Sequence, residues 1–141
     1  MVIRELRGTV FADSSGFIAT FDARDQRHAP AAQTWRRFES EGVYLLTTHL
    51  VLAETVTHLR RRAGWEPSRK VGDALLRSSV IETAGLTRDQ LAGAWLEFIR
   101  NPDPKLSLCD AASFVLMRER GITAAFTFDQ HFAAAGFELI P

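Results

Sequence analysis

An α/β domain built on a mostly parallel sheet is the fold class this sequence predicts, and three observations carry it. Five short apolar runs alternate with helical patterns; most of those runs are continuously apolar; and no repeat, low-complexity tract or linker breaks the series. Strands separated by helices pair in parallel, and strands covered on both faces lose the polar alternation of a half-exposed sheet. A length of 141 residues and an apolar content of 46% suit one domain, residues 1–141, with a full core.

The first strand is expected at 9–13 (TVFAD). After a loop, residues 28–40 (HAPAAQTWRRFES) read as a helix, with Pro30 in the first turn, Gly42 at the stop, and Ala31, Trp35 and Phe38 on one face. A second strand, 43–48 (VYLLTT), runs into a long helix ending at Gly64. Arg60, Arg61 and Arg62 stand in its last turn, where cations suit the helix dipole. A shorter helix at 67–78 leads to a third strand, 79–83 (SVIET). The next helix, 87–100, opens on Thr87 and sets Leu91, Trp95, Phe98 and Ile99 at helical spacing. The loop NPDPK precedes a helix over 108–121, and strands at 123–128 (TAAFTF) and 137–140 (FELI) complete the series.

Seventeen basic residues cancel 17 acidic ones, so no bulk charge announces a partner and only local clusters carry that information. One Cys, Cys109, and four scattered His leave neither a disulfide pair nor a structural zinc spacing, which fits a reducing compartment. The first seven residues carry charges, and no run approaches the ~18 apolar residues of a membrane span. A cytoplasmic protein without a membrane partner is expected.

Two predicted strands aim at a bare carboxylate, Asp13 and Asp129. In a parallel sheet the C-terminal strand ends share one edge, where such folds bind ligands. Each Asp also has a plain structural reading as a helix N-cap, and Asp110 fits a capping box with Ser107. Glu54 is different, since it lies inside the helix after the second strand. Leu50, Val51, Leu52, Ala53, Val56 and Leu59 surround it, so that helix start is expected to be buried, with Glu54 paired to a core Arg or bound to metal. If the four acids converge within about 5 Å, each pair repels by roughly 3 kcal/mol at an effective dielectric near 20. Protons or a cation must then compensate, and an all-oxygen set suits Mg²⁺ or Mn²⁺ acting on phosphate oxygens.

The segments VFADSSGFIA, LLTTHLVLAETV, LSLCDAASFVLM and FTFDQHF, in this order, resemble the motifs of PIN-domain proteins, most closely the VapC-like ribonuclease toxins of toxin–antitoxin pairs. The resemblance runs from Thr9 to Ile140. It implies a three-layer domain, with helices on both faces of a five-stranded, mostly parallel sheet in which strands one and four are neighbours. It further implies Asp13, Glu54, Asp110 and Asp129 as catalytic, metal-binding acids and Ser15 as the small hydroxyl residue beside the first. Mg²⁺- or Mn²⁺-dependent endonucleolytic cleavage of tRNA, rRNA or mRNA, homodimerisation, and inhibition by a small antitoxin covering the active groove follow from the same likeness.

Arg60, Arg61 and Arg62 are the candidate RNA contacts, with Arg36, Arg37, Arg69 and Lys70 as extensions, against the plain reading of a solvated helix end. Asp103 is a further carboxylate or a turn residue. His58 and His131 either orient carboxylates or are ordinary surface side chains. Phe126, Phe128, Phe132 and Phe137 read as core, and Cys109 as packing. Phosphoaspartyl folds also place Asp at strand tips, but here Ser14 and Ser15 follow Asp13 and the only lysines are Lys70 and Lys105. A non-catalytic PIN-like module that binds RNA or protein is the other reading.

Overall fold

A computed structural model describes residues 8–141; the charged stretch at 1–7 lies outside the described residues. Five strands, β1 (Thr9–Ala12), β2 (Tyr44–Thr48), β3 (Ile81–Ala84), β4 (Ala124–Phe126) and β5 (Glu138–Ile140), form one sheet in the order β3-β2-β1-β4-β5. Every pairing is parallel, with Phe11 opposite both Leu46 and Ala125. The expected neighbours β1 and β4 are therefore paired.

The helices are α1 (Ser14–Phe21), α2 (His28–Glu41), α3 (His49–Ala63), α4 (Trp65–Arg77), α5 (Arg88–Arg100), α6 (Leu108–Arg120) and α7 (Gln130–Ala134). The first two crossovers step outward from β1 to β2 to β3, and the next two step the other way, through β4 to β5. Right-handed crossovers consequently put α1 to α4 on one face and α5 to α7 on the other. The strand order reverses between β1 and β4, and the crevice at their C-terminal ends is where α/β sheets hold ligands.

Phe126 packs under α2 against Phe38, with centroids 5.2 Å apart, and Phe11 faces α7 through Phe132 at 6.2 Å. Each ring buried in this way stabilises the fold by about 1.5–3 kcal/mol. The α1 helix replaces the loop expected after the first strand. Its sequence, SSGFIATF, is too short to display helical periodicity, and tertiary packing decides it: Phe17 is fully buried against Trp35 and Phe21. Gly16 allows that packing, because a Cβ there would stand 2.6 Å from the Phe126 carbonyl oxygen.

Of the apolar stripe predicted on α5, Leu91, Trp95 and Ile99 are exposed, and Phe98 alone packs toward α6. That helix instead seats Ala94 against Ala111 and Ala112 of α6, a contact of small side chains that brings the two helices together. Capping boxes start both helices, Thr87 with Gln90 and Ser107 with Asp110. Among the described residues no helix is long and apolar enough to cross a membrane.

Candidate active site

The β1 and β4 backbones deliver two carboxylates to the crevice. The Asp13 N–H donates to the Phe126 carbonyl at 3.1 Å, which extends the strand pairing by one residue. Although Asp13 stands at the N-cap of α1, its side chain caps nothing. Its Oδ2 instead accepts from Ser15 Oγ at 3.0 Å and from Thr127 Oγ1 at 2.9 Å. Burial first, and then the charge of Asp110, push its carboxyl up to about 6 from an ordinary 3.8.

Asp110 does cap: its Oδ2 accepts the Ser107 N–H at 3.1 Å, while its own N–H reaches Ser107 Oγ at 3.0 Å. The same carboxyl is buried, and burial together with Asp129 and Glu54 raises its pKa against the hydrogen bonds from Ser107. One side chain is thus both a helix cap and a buried carboxylate beside Asp129. Asp129 caps α7 through the His131 N–H at 2.9 Å, and the same Oδ1 meets His131 Nδ1 at 2.6 Å. His131 Nε2 lies 2.9 Å from Asp103 Oδ2, so the ring is clamped between two carboxylates and its pKa is raised, by Asp129 first and then Asp103. Asp103 is an exposed turn residue that accepts the Lys105 N–H and also reaches this histidine.

Glu54 corrects an expectation, because it is exposed. The α3 helix fully buries the stripe Val51, Thr55 and Leu59 and packs Leu52 partly against the core, leaving Leu50 and Ala53 beside Glu54 exposed. Glu54 still points to the site, where Ser14 Oγ donates to its Oε1 at 2.9 Å. Among the described residues no arginine forms an ion pair with it.

The acids do not collapse into one tight cluster. Ligand atoms of Asp110, Asp129 and His131 lie within 4.8 Å of one another, a group that does not include Asp13 or Glu54. Repulsion of roughly 3 kcal/mol per pair at 5 Å favours oxygens splayed onto hydroxyl and imidazole partners. The charges nevertheless remain coupled, as the pKa shifts of Asp13 and Asp110 show. Cys109, half-buried beside them, has its thiol pushed far up by burial and then by Glu54, Asp13 and Asp110, which makes it an inert packing group. Among the described residues no Lys or Arg forms an ion pair with Asp13, Glu54, Asp110 or Asp129. An oxygen-rich set that is partly buried and, among the described residues, has no Lys or Arg paired to it fits a hard divalent ion.

Thr127 is fully buried, and its only signal in the sequence is a hydroxyl residue two before Asp129. It donates to Asp13 and accepts the Asp129 N–H at 3.0 Å. Ser15 joins this network by accepting the Phe128 N–H at 3.0 Å. The arginine triplet divides. Arg62 lines a cleft shared with Ser15 and Asp129, Arg60 lines a separate groove beside Trp65 and Arg69, and Arg61 lines neither. Arg37 and Arg69 are engaged with Glu41 and with Glu66 and Asp73. Beside Arg62 the cleft holds two arginines from the loop after α1, Arg24 and Arg27.

The PIN domain family profile matches residues 10–138. Over 129 residues the chain is 37% identical to the 23S rRNA-specific endonuclease VapC20 of Mycobacterium tuberculosis, covering 91% of this chain and 95% of that protein, with the same figures for strains CDC 1551 / Oshkosh and ATCC 25618 / H37Rv. The crystal structure of Mycobacterium tuberculosis VapC20, a sarcin-ricin loop cleaving toxin, matches with a TM-score of 0.83 at 35% identity, over 91% of this chain and 95% of that one. A structure of FitAB bound to a DNA fragment matches with a TM-score of 0.60 at 13% identity over 92% of each chain, a likeness of fold alone.

Proposed function

The chain belongs to the PIN-domain family, and from that premise we propose that it is a Mg²⁺- or Mn²⁺-dependent endoribonuclease, the toxin of a toxin–antitoxin pair, acting on ribosomal RNA in the cytoplasm. The observation that carries this reading is that Asp13, Glu54, Asp110 and Asp129 all border the β1 and β4 ends while, among the described residues, no Lys or Arg pairs with any of them.

In this reading the four carboxylates hold the metal. When bound, such an ion activates water and stabilises the departing oxygen of a phosphodiester. The surrounding residues position the acids. Ser15 and Thr127 orient the Asp13 carboxylate, Ser14 orients Glu54, the Ser107 amide orients Asp110, and His131 orients Asp129. Each contact leaves fewer rotamers to freeze when substrate binds. Arg62 faces the phosphate backbone from the neighbouring cleft, and we assign Arg60 and Arg61 at most a long-range contribution. A homodimer accords with the exposed Leu91, Trp95 and Ile99 stripe of α5, and a cognate antitoxin would act by covering the carboxylate edge.

Incubating the purified protein with a 23S rRNA sarcin–ricin stem-loop, tRNAs and an mRNA, with Mg²⁺ or Mn²⁺, beside EDTA and Asp13→Ala controls, tests the proposal. Metal-dependent cutting of the stem-loop that disappears in Asp13→Ala is expected. A folded wild-type protein that cuts no RNA in either metal would point instead to a binding module.

A further inference from the structure

The cleft that Arg62 shares with Ser15 and Asp129 has a volume of about 550 Å³, inside the roughly 300–1,000 Å³ typical of ligand sites. Because Ser15 and Asp129 form part of its wall, its occupant adjoins whatever is bound at the carboxylates. The rest of the wall includes Asp22, Arg24, Arg27, His58, Arg62 and Phe128.

These side chains are held in place. The Arg27 guanidinium sits over the Phe128 ring, 5.0 Å from its centroid. Phe128 is anchored through its amide on Ser15 Oγ, and its half-buried ring leans on Phe126 with centroids 6.5 Å apart. Two successive turns built on aspartates shape the loop: Asp22 accepts the Arg24 N–H at 3.0 Å, and Asp25 accepts the Arg27 N–H at 2.8 Å. Asp22 is buried, and the Arg24 amide is the largest influence holding its carboxyl below the usual carboxylate range. The Arg24 side chain then donates to the Arg62 carbonyl, tying this loop to α3. Arg37, Arg69, Arg118 and Arg120 are each spent on an ion pair, whereas among the described residues Arg27 and Arg62 form none.

We infer that this cleft is a nucleotide subsite, in which Arg27 and Phe128 stack one unpaired RNA base beside the scissile phosphate and Arg62 contacts an adjacent phosphate. The inference rests on the endoribonuclease reading and adds to it a determinant of where the strand is cut. Proteins read RNA sequence chiefly through unpaired bases stacked on aromatic rings or guanidinium planes, and both surfaces are present here in one preassembled pair. A base lodged there sets the register of the backbone, so that one phosphodiester reaches the carboxylates. Asp22 and Asp25 in the same wall suit a base edge carrying amino donors and disfavour an acidic peptide.

The test separates binding from cleavage. In an Asp13→Asn background, chosen to suppress cutting, affinity is measured for a labelled sarcin–ricin stem-loop and for copies carrying a single abasic ribose at each loop position. Arg27→Ala is expected to weaken the intact loop about tenfold, the order of one lost base stack. It should have no effect on the one abasic copy that lacks the stacked base. Arg27→Lys keeps the charge without the plane and should behave like Arg27→Ala. Phe128→Leu, which preserves a core side chain, should reproduce the loss, with a thermal melt to confirm folding. Arg62→Ala should weaken every copy alike and lower the salt dependence by about one counterion. Equal losses with all copies, or no loss with Arg27→Ala and Phe128→Leu, overturn the subsite and leave the cleft to a protein partner. Failure of wild-type cleavage would overturn the nuclease reading separately.

Discussion

Thr127 donates its hydroxyl to Asp13 Oδ2 at 2.9 Å, so the residue that follows β4 holds the carboxylate that ends β1. Thr127 Oγ1 in turn accepts the Asp129 N–H at 3.0 Å, which makes Thr127 the joint between two acids 116 positions apart in sequence and neighbours in space. Thr127→Val keeps the volume and removes both contacts. Hydrogen bonds to charged groups contribute about 1.5–3 kcal/mol, so a loss of about 2 kcal/mol in urea unfolding at neutral pH is expected. Cleavage should fall as well, and Thr127→Ser should recover most of both.

Asp13 sets a pH dependence of stability. Its carboxyl titrates near 3.8 when unfolded and at about 6 when folded. Between those values the folded chain keeps a proton that the unfolded chain has released, so this contribution is full at the acid end and is lost as pH rises through 6. The loss is on the order of 3 kcal/mol, and Asp110, also raised, acts in the same direction. Denaturation in EDTA from about pH 4.5 to 7.5 should show the decline, flatter in Asp13→Asn. Mn²⁺ should restore stability at the upper end and do little at the lower end, where protons compete for the ligands.

Glu54 separates activity from stability. Because it is exposed, Glu54→Gln should change unfolding free energy by no more than about 0.5 kcal/mol. Cleavage should nevertheless drop about a hundredfold or more, the order of losing one charged group at a reacting centre. Parallel melts and RNA cleavage rates check this, and unchanged cleavage would remove Glu54 from the site.

His131 should act through Asp129. Outer partners of metal ligands typically contribute 10- to 100-fold in affinity, and the 2.6 Å contact from Nδ1 is of this kind. Calorimetric titration of His131→Ala with Mn²⁺ is expected to show binding weaker by about tenfold. An unchanged affinity would make the histidine a surface group.

Gly16→Ala tests the packing beneath the site. The new Cβ would meet the Phe126 carbonyl oxygen at 2.6 Å and its ring at 2.8 Å, contacts relieved only by moving α1 away from β4. Overpacking of this kind costs about 1–3 kcal/mol. Since α1 carries Ser14 and Ser15, RNA cleavage should decline together with the urea midpoint.

The sequence by itself determined the alternation of strands and helices and the presence of acids at strand ends. Both are local matters: continuous apolar runs such as LLTT are stable only between two covering layers, and Asp after such a run must lie at an edge. The strand order was legible only through the family resemblance, and the comparisons support that likeness. Glu54 is exposed where burial is expected because periodicity records which residues are apolar and not which of them neighbouring elements cover. Only three residues of α3 are buried, and the apolar Leu50 beside them is left exposed. The α5 stripe was legible as a stripe, but its outward direction depended on Ala94 meeting Ala111 and Ala112, a contact between separate helices. Thr127, His131 and the Arg27 and Phe128 pair belong to tertiary structure for the same reason. The Thr127 contact with Asp13, the His131 contact with Asp103 and the Arg27 stack on Phe128 each join segments that only the fold brings together, and no short window of sequence contains both partners.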